Sequence, residues 1–379
     1  MIYWLLFPLA DKVTLFNVLR YPSFRVVMAG LTALLFCLVV GPWFIGKLRA
    51  AQDGLDTVRE DTPDSHLQKT GTPSMGGLLI LSSLFLGTLL WVDLTNHLIW
   101  TVLTITAGFA AVGFYDDWRK FKNGTKGLSG RAKLAIQFGI AGVAIYAFLT
   151  DWSIIVDSTF PFVKIGFLVD TTIALPFVAT HIWTPDLGFL YPVFVVFVVV
   201  GTSHAVNLTD GLDGLAIGPS IVAAITWLVL AYAAGTIIAG FNIAEYLYIP
   251  HIEGAEELSV FCAALAGAGI GFLWYNTYPA TVFMGDVGSL SIGGGLGAVA
   301  ILTKNELVSA IVHGVFLIEA LSVILQVGFY KSTGRRIFRM APIHHHFELK
   351  GWAEPKVIVR FWIMSIILAL VAVAGLKLR

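Results

Sequence analysis

LIWTVLTITAGFAAVGFYDDWRK, residues 98–120, runs for eighteen positions without a charge and then places two carboxylates and two basic groups within five residues. An α-helix of eighteen residues is roughly 27 Å long, close to the ~30 Å of a bilayer's hydrocarbon core, so 98–115 reads as a membrane span ending in a charged cap. Windows of the same kind recur near 24–46, 73–92, 134–150, 187–206, 214–240, 258–280, 287–303, 307–330 and 357–376. The chain therefore reads as an all-α polytopic membrane protein of about ten transmembrane helices, a single integral-membrane domain over 1–379.

Composition agrees. Hydrophobic residues make up 57% of the chain and charged ones 13%, against about 25% charged in soluble domains. Basic and acidic groups balance at 24 each, so no net field points to a nucleic-acid partner, and the informative quantity is where the charges fall. If the first span enters from outside, seventeen of the Lys and Arg residues lie on the cytoplasmic side and seven outside, which follows the positive-inside rule and leaves both termini external, in the periplasm. Arg20 and Arg25 pull the other way. The external connector 151–186 alternates apolar residues around Phe160, Phe162, Ile165, Phe167 and Val169, which predicts a small hairpin between spans four and five. Met1–Ala10 is apolar but has no basic start and no small-residue cleavage site, so it reads as an interfacial segment. Cys37 and Cys262 lie inside apolar runs and suggest neither a disulfide nor a zinc site.

Three acidic clusters adjoin span ends. Asp116 and Asp117 follow the third span directly, and like charges so close need a cation or a strong base to share them; a solvated helix end is the plainer reading. Asn207-Leu208-Thr209-Asp210-Gly211-Leu212-Asp213-Gly214 packs acids, an amide and glycines between two spans, as a ligand loop would and as a short interhelical turn also would. Asp286, within Phe283-Met284-Gly285-Asp286-Val287-Gly288-Ser289, opens a helix and by itself reads as an N-cap. Under the one topology above, all three clusters fall on the same membrane face. Random caps have no reason to do so. Carboxylate oxygens suit Mg²⁺, which is completed by water and substrate phosphates, so the pattern points to phosphoryl-transfer chemistry.

Basic residues surround these acids. Lys120, Lys122, Lys126, Arg131 and Lys133 follow the aspartate pair, and Lys69 precedes the turn Gly71-Thr72-Pro73-Ser74-Met75-Gly76-Gly77. Lys120 and Lys122 fit the ordinary juxtamembrane role of meeting anionic lipid or setting topology, while Lys133, which opens a span, is the catalytic candidate. His344, His345 and His346 are consecutive, which disfavours a zinc cage and favours hydrogen bonds to phosphate or nucleotide. His313, Glu319 and Gln326 are polar groups at membrane depth: either functional or a buried network pinning helices together.

GTPSMGG at 71–77, DD at 116–117, KGLSGRAKL at 126–134, NLTDGLDG at 207–214, FMGDVGS at 283–289 and APIHHHFELKGW at 341–352 together resemble, in order and over nearly the whole chain, the polyprenyl-phosphate N-acetylhexosamine-1-phosphate transferases. The likeness is strongest to the bacterial members that act on the muramoyl-pentapeptide donor. It implies ten transmembrane helices, usually in a homodimer, set in the bacterial cytoplasmic membrane with the active site on the cytoplasmic face. The implied reaction moves phospho-N-acetylmuramoyl-pentapeptide from UDP-MurNAc-pentapeptide to undecaprenyl phosphate, giving lipid I and UMP.

The same resemblance implies Asp116, Asp117 and Asp286 as catalytic acids, with Asp286 and Asp117 holding Mg²⁺ and Lys133 and His345 meeting the diphosphate. Lys69, Asn207, Gly211, Leu212, Asp213, Asn276, Phe283 and Gln326 correspond to the nucleoside pocket, Phe283 stacking on uracil; Ser74, Asp210, His344 and His346 are further substrate-binding positions. Thr70 and Ser74 depart slightly from the family's pattern. The competing readings are a relative transferring N-acetylglucosamine-1-phosphate and, remotely, an ion-coupled transporter, whose site would lie nearer the bilayer midplane.

Overall fold

A computed structural model of the chain describes residues 1–52, 71–123, 127–149, 171–178, 182–238 and 240–376. Ten apolar helices dominate it: α1 (Pro22–Ala51), α2 (Gly77–Trp91), α3 (His97–Asn123), α4 (Gly130–Leu149), α5 (Tyr191–Thr209), α6 (Ile217–Gly235), α7 (Glu256–Asn276), α8 (Gly285–Leu302), α9 (Gly314–Thr333) and α10 (Glu354–Gly375). Among the described residues nine of them are long and apolar enough to cross a membrane. The other, α2, has fifteen residues, because 71–76 are spent in a turn rather than in helix. The protein is thus an all-α multi-pass membrane protein.

Helices α7 and α8 form the centre. α7 packs against α1, α2 and α6, and α8 against α3 and α5. Both are rich in Gly and Ala, which lets backbones approach where lipid supplies no hydrophobic drive for association. At Gly267 of α7 a β-carbon would come within 2.1 Å of the Gly30 carbonyl of α1, so that crossing admits no side chain. α8 is buried along almost its whole length and carries Val287, Ile292, Leu296 and Val299 into the main core.

Two boundaries differ from the sequence reading. α3 continues past residue 115 to Asn123, so Asp116 and Asp117 lie within the last two turns of a helix rather than after it. The ninth span, expected over 307–330, breaks at His313 into a single turn, Ser309–Val312, and α9. His313 accepts a hydrogen bond from the Trp227 indole at 2.9 Å, a contact that pins α6 to this break and satisfies the structural reading of that histidine. The expected hairpin falls largely outside the described residues; what is described there includes an isolated antiparallel bridge between Thr172 and Asp186.

At the end of the bundle away from the acids, Arg25 and Glu257 form a buried bidentate ion pair, with oxygens at 2.5 and 2.7 Å from the guanidinium. The first residues, which the sequence reading made an interfacial segment, dock on this end of the bundle. Ile2–Leu6 is a short helix, Tyr3 lies 4.4 Å from the guanidinium, and the amino terminus donates to the carbonyls of Leu89 and Leu90 at the end of α2.

Candidate active site

The opposite end of the bundle gathers residues from four distant stretches. Asp116 and Asp117 come from α3, Lys133 from the first turn of α4, Asn207 from the last turn of α5, and Asp286 from the first turn of α8. One oxygen from each of Asp116, Asp117 and Asp286 can be chosen so that all lie within 4.8 Å of one another. Lys133 Nζ is 2.5 Å from Asp286 Oδ2 and 2.9 Å from Asp116 Oδ2. Lys120 Nζ reaches Asp116 Oδ2 at 2.6 Å, Asp286 Oδ2 at 3.1 Å and Asp117 Oδ1 at 3.3 Å. Three carboxylates and two ammoniums leave one negative charge in excess.

This overturns the sequence reading of Lys120 as a lipid-facing or topological lysine. Because α3 continues through it, Lys120 stands three and four residues after the aspartates, on the same helix face. Lys122, by contrast, is exposed, with its ammonium 4.2 Å from the Trp118 ring centre. Lys69 and Lys126 lie outside the described residues.

Backbone donors fix the acids. The Leu128 N–H donates to Asp116 Oδ1 at 2.5 Å, and Val287 N–H to Asp117 Oδ2 at 3.0 Å. Gly285 has φ +75, and a β-carbon there would sit 2.7 Å from Asp117 Oδ2, so the position requires glycine twice over. Asp286 is not a helix cap. Met284 holds that place without a side-chain bond, while Asp286 Oδ1 accepts from Asn207 Nδ2 at 3.0 Å and Oδ2 faces the lysines. Asn207 also donates to Ser289 Oγ at 2.8 Å. Asp116 is fully buried and Asp117 is 8% exposed.

The two turns flanking the acids are laced together. Phe283 N–H donates to the Pro73 carbonyl, Gly76 N–H to that of Phe283, and Gly77 N–H to that of Met284, each at 2.8 Å. Gln52 clamps Ser74, accepting from its N–H at 2.9 Å and donating to its carbonyl at 3.1 Å. Ser74 is therefore held through its backbone, beside a partly buried Phe283.

Several other expected binding residues are spent on the scaffold. Asn276 accepts from Gly214 N–H at 3.0 Å and donates to the Val282 carbonyl at 2.8 Å. Asp213 accepts from Ala280 N–H at 3.0 Å, and its own N–H meets Glu354 Oε1 at 3.2 Å. Leu212 is buried in a small cluster with Leu215, Val357 and Ile358. Gln326 Oε1 accepts from the N–H groups of Ile337 and Phe338, both at 3.0 Å. Asp210, just beyond α5, is pushed up to about 8 by burial first and then by the negative charge of Asp286, Asp117 and Asp213.

The three histidines form a short helix, Ile343–Glu348, that the sequence did not predict. They differ in surroundings. His345 pairs with Glu348 at 2.7 Å, and His346 Nδ1 accepts from Arg339 N–H at 3.0 Å. His344 is fully buried behind Gly211, with Nδ1 3.1 Å from Glu319 Oε2. Asp286, Asp117, Asp116, Lys133, Lys120 and Asn207 thus converge directly, whereas the histidine helix meets the 207–214 loop through His344 and Gly211.

Hard carboxylate oxygens this close are a donor set that fits a divalent cation such as Mg²⁺. The two ammoniums beside them can in turn neutralise phosphoryl oxygens.

The family model described as glycosyl transferase family 4 matches residues 98–304, more than half of the chain and the whole stretch from α3 through α8. Three relatives carry the name phospho-N-acetylmuramoyl-pentapeptide-transferase: a protein of Anaeromyxobacter sp. (strain K), 62% identical over 380 residues and all of both chains; one of Syntrophus aciditrophicus, 53% identical over 384 residues, again all of both chains; and one of Myxococcus xanthus, 53% identical over 378 residues, covering 96% of this chain and 95% of its own.

Proposed function

The chain belongs to glycosyl transferase family 4, among the phospho-N-acetylmuramoyl-pentapeptide-transferases, and from that premise we propose how its residues carry out the transfer. The protein transfers phospho-N-acetylmuramoyl-pentapeptide from UDP-MurNAc-pentapeptide to undecaprenyl phosphate, forming lipid I and UMP. The observation that carries the mechanism is the convergence of Asp116, Asp117 and Asp286 with Lys120 and Lys133 at one end of the bundle.

An oxygen of the lipid phosphate attacks the sugar-linked phosphorus of the donor. The bond from that phosphorus to the bridging oxygen breaks, and UMP leaves with the electron pair. Because a phosphate monoester's second pKa is about 6, the acceptor is largely dianionic at neutral pH and needs little help from a base. What it needs is charge neutralisation and alignment. Lys120 and Lys133, already shared among the carboxylates, are placed to follow the transferring oxygens. Asp286 and Asp117 would hold Mg²⁺, which when bound supplies Lewis-acid stabilisation to the diphosphate. Asp116 orients Lys133 and the Gly127–Leu128 backbone. A covalent aspartyl route would need a carboxylate open to the donor, and full burial of Asp116 together with the Val287 bond to Asp117 supports direct displacement instead.

The nucleoside sits against Phe283, with Asn207, Asp210 and the Gly211–Asp213 loop on one side and the histidine helix, His345 foremost, on the other. An apolar recess of about 400 Å³ between α9 and α10, lined by Val315, Ile318, Phe347, Phe361 and Met364 and flanked by Arg360, fits a polyprenyl tail that never leaves hydrocarbon. The basic residues of the connectors at this end favour placing it on the cytoplasmic side of a bacterial inner membrane. The acids lie at helix ends, not at mid-helix, which disfavours a transporter.

The test uses purified protein, Mg²⁺ and undecaprenyl phosphate with either UDP-MurNAc-pentapeptide or UDP-GlcNAc, following UMP. Release with the muramoyl donor is expected. Release only with UDP-GlcNAc assigns the chain to the other transferase.

A further inference from the structure

Glu319 on α9 and His344 on the histidine helix are both fully buried ionisable groups to which the mechanism above gives no chemical step. Their contact, 3.1 Å from Glu319 Oε2 to His344 Nδ1, is an ion-pair distance, and among the described residues neither carboxylate oxygen of Glu319 and neither ring nitrogen of His344 has a partner in hydrogen-bond geometry. Burying such a pair is costly, and for packing alone an apolar pair of the same volume would serve as well or better. A carboxylate facing one imidazole nitrogen at this distance favours a proton on that nitrogen and so biases the direction of the ring. Here it directs Nε2 at the backbone of Gly211, where a β-carbon would lie 2.4 Å from that nitrogen. The ring fills the notch that glycine leaves.

Gly211 belongs to the loop that carries Asn207, Asp210 and Asp213. Two turns further along α9, Gln326 holds the Ile337 and Phe338 backbone, so α9 grips the histidine-bearing segment at two points. The His344 and His345 rings are 4.1 Å apart, which ties the buried pair to the next histidine of the helix.

We propose that Glu319 is a positioning residue for the nucleotide half of the reaction: through His344 it sets the spacing between the helix Ile343–Glu348 and the Asn207–Gly214 loop. This rests on the transferase reading above. Glu319 touches no substrate, and its effect is on donor binding, not on the lipid.

The test compares wild type with Glu319→Gln, His344→Asn and the double variant. Losing a charge-assisted contact predicts a KM for UDP-MurNAc-pentapeptide raised at least about tenfold in each single variant, with the KM for undecaprenyl phosphate within about twofold. The double variant should be no worse than the poorer single one, because both act through one contact. Where turnover is too low to measure, UMP affinity by calorimetry replaces KM, about tenfold weaker being the expected result. An unchanged donor KM or UMP affinity, an equal shift in both KM values, or additive effects in the double variant overturns the role of Glu319. Failure of wild type to release UMP from the muramoyl donor removes the transferase reading instead, so the two failures are distinguishable.

Discussion

The ammonium of Lys133 stands 2.5 Å from Oδ2 of Asp286, joining the first turns of two helices whose sequences are 153 residues apart. The same ammonium reaches Asp116, so one lysine ties α3, α4 and α8 into a single charge cluster. Lys133→Met should lower the rate of UMP release by about 10²–10³, the usual cost of removing one preorganised donor to a developing negative charge. Lys133→Arg should fall between that and wild type. A rate within about threefold of wild type in Lys133→Met would remove the lysine from the mechanism.

Gly285 is the hinge on which Asp117 and Asp286 meet. Its φ of +75 and the 2.7 Å approach of a built β-carbon to Asp117 Oδ2 predict that Gly285→Ala lowers stability by about 1–3 kcal/mol and turnover more than tenfold. Thermal unfolding in detergent and UMP release, measured on the same preparation, check both. Gly139 in α4, where a β-carbon would meet nothing within 4 Å, offers a control outside this junction.

Phe283 is tied to the Pro73–Gly77 turn by its backbone, which leaves its ring as the variable part. If the ring stacks on uracil, Phe283→Ala should raise the donor KM by about tenfold or more, since base stacking on an aromatic side chain contributes about 1–3 kcal/mol. Phe283→Tyr should keep it near wild type. Equal KM values for Phe283→Ala and wild type would exclude the stacking contact.

Asp210 carries a pH signature. Its folded pKa, about 8, lies above the ordinary carboxylate value, so between roughly pH 4 and pH 8 the folded protein binds a proton that the unfolded chain has released. The stabilisation this proton gives is fully present below the unfolded pKa and is lost as pH rises through the folded one. Thermal midpoints of wild type should therefore fall from pH 6 to pH 9 by more than those of Asp210→Asn. Parallel curves for the two proteins would contradict it.

The spans were legible because apolar runs of bilayer length have few other uses, and the three acid clusters were legible because one topology put them on one face. Lys120 was misread although the signal was present: spacing of three and four from two aspartates places it on their face once α3 is allowed to continue past residue 115. Other features had no local signal. The clamp of Gln52 on Ser74 and the seating of His344 behind Gly211 depend on chain segments that meet only in the folded bundle. Asn276 and Asp213 resemble ligand groups in sequence, yet both bind backbone amides, because a loop lodged between helices must satisfy its own N–H groups.

On this mechanism Asp286 organises the reaction centre without holding the fold together. Asp286→Ala measured side by side for UMP release, Mn²⁺ binding by electron paramagnetic resonance and thermal unfolding tests it most directly. The expected result is a rate at least about 10³-fold below wild type and weakened Mn²⁺ binding, in a protein that still unfolds cooperatively. A near-normal rate in that variant would contradict the account.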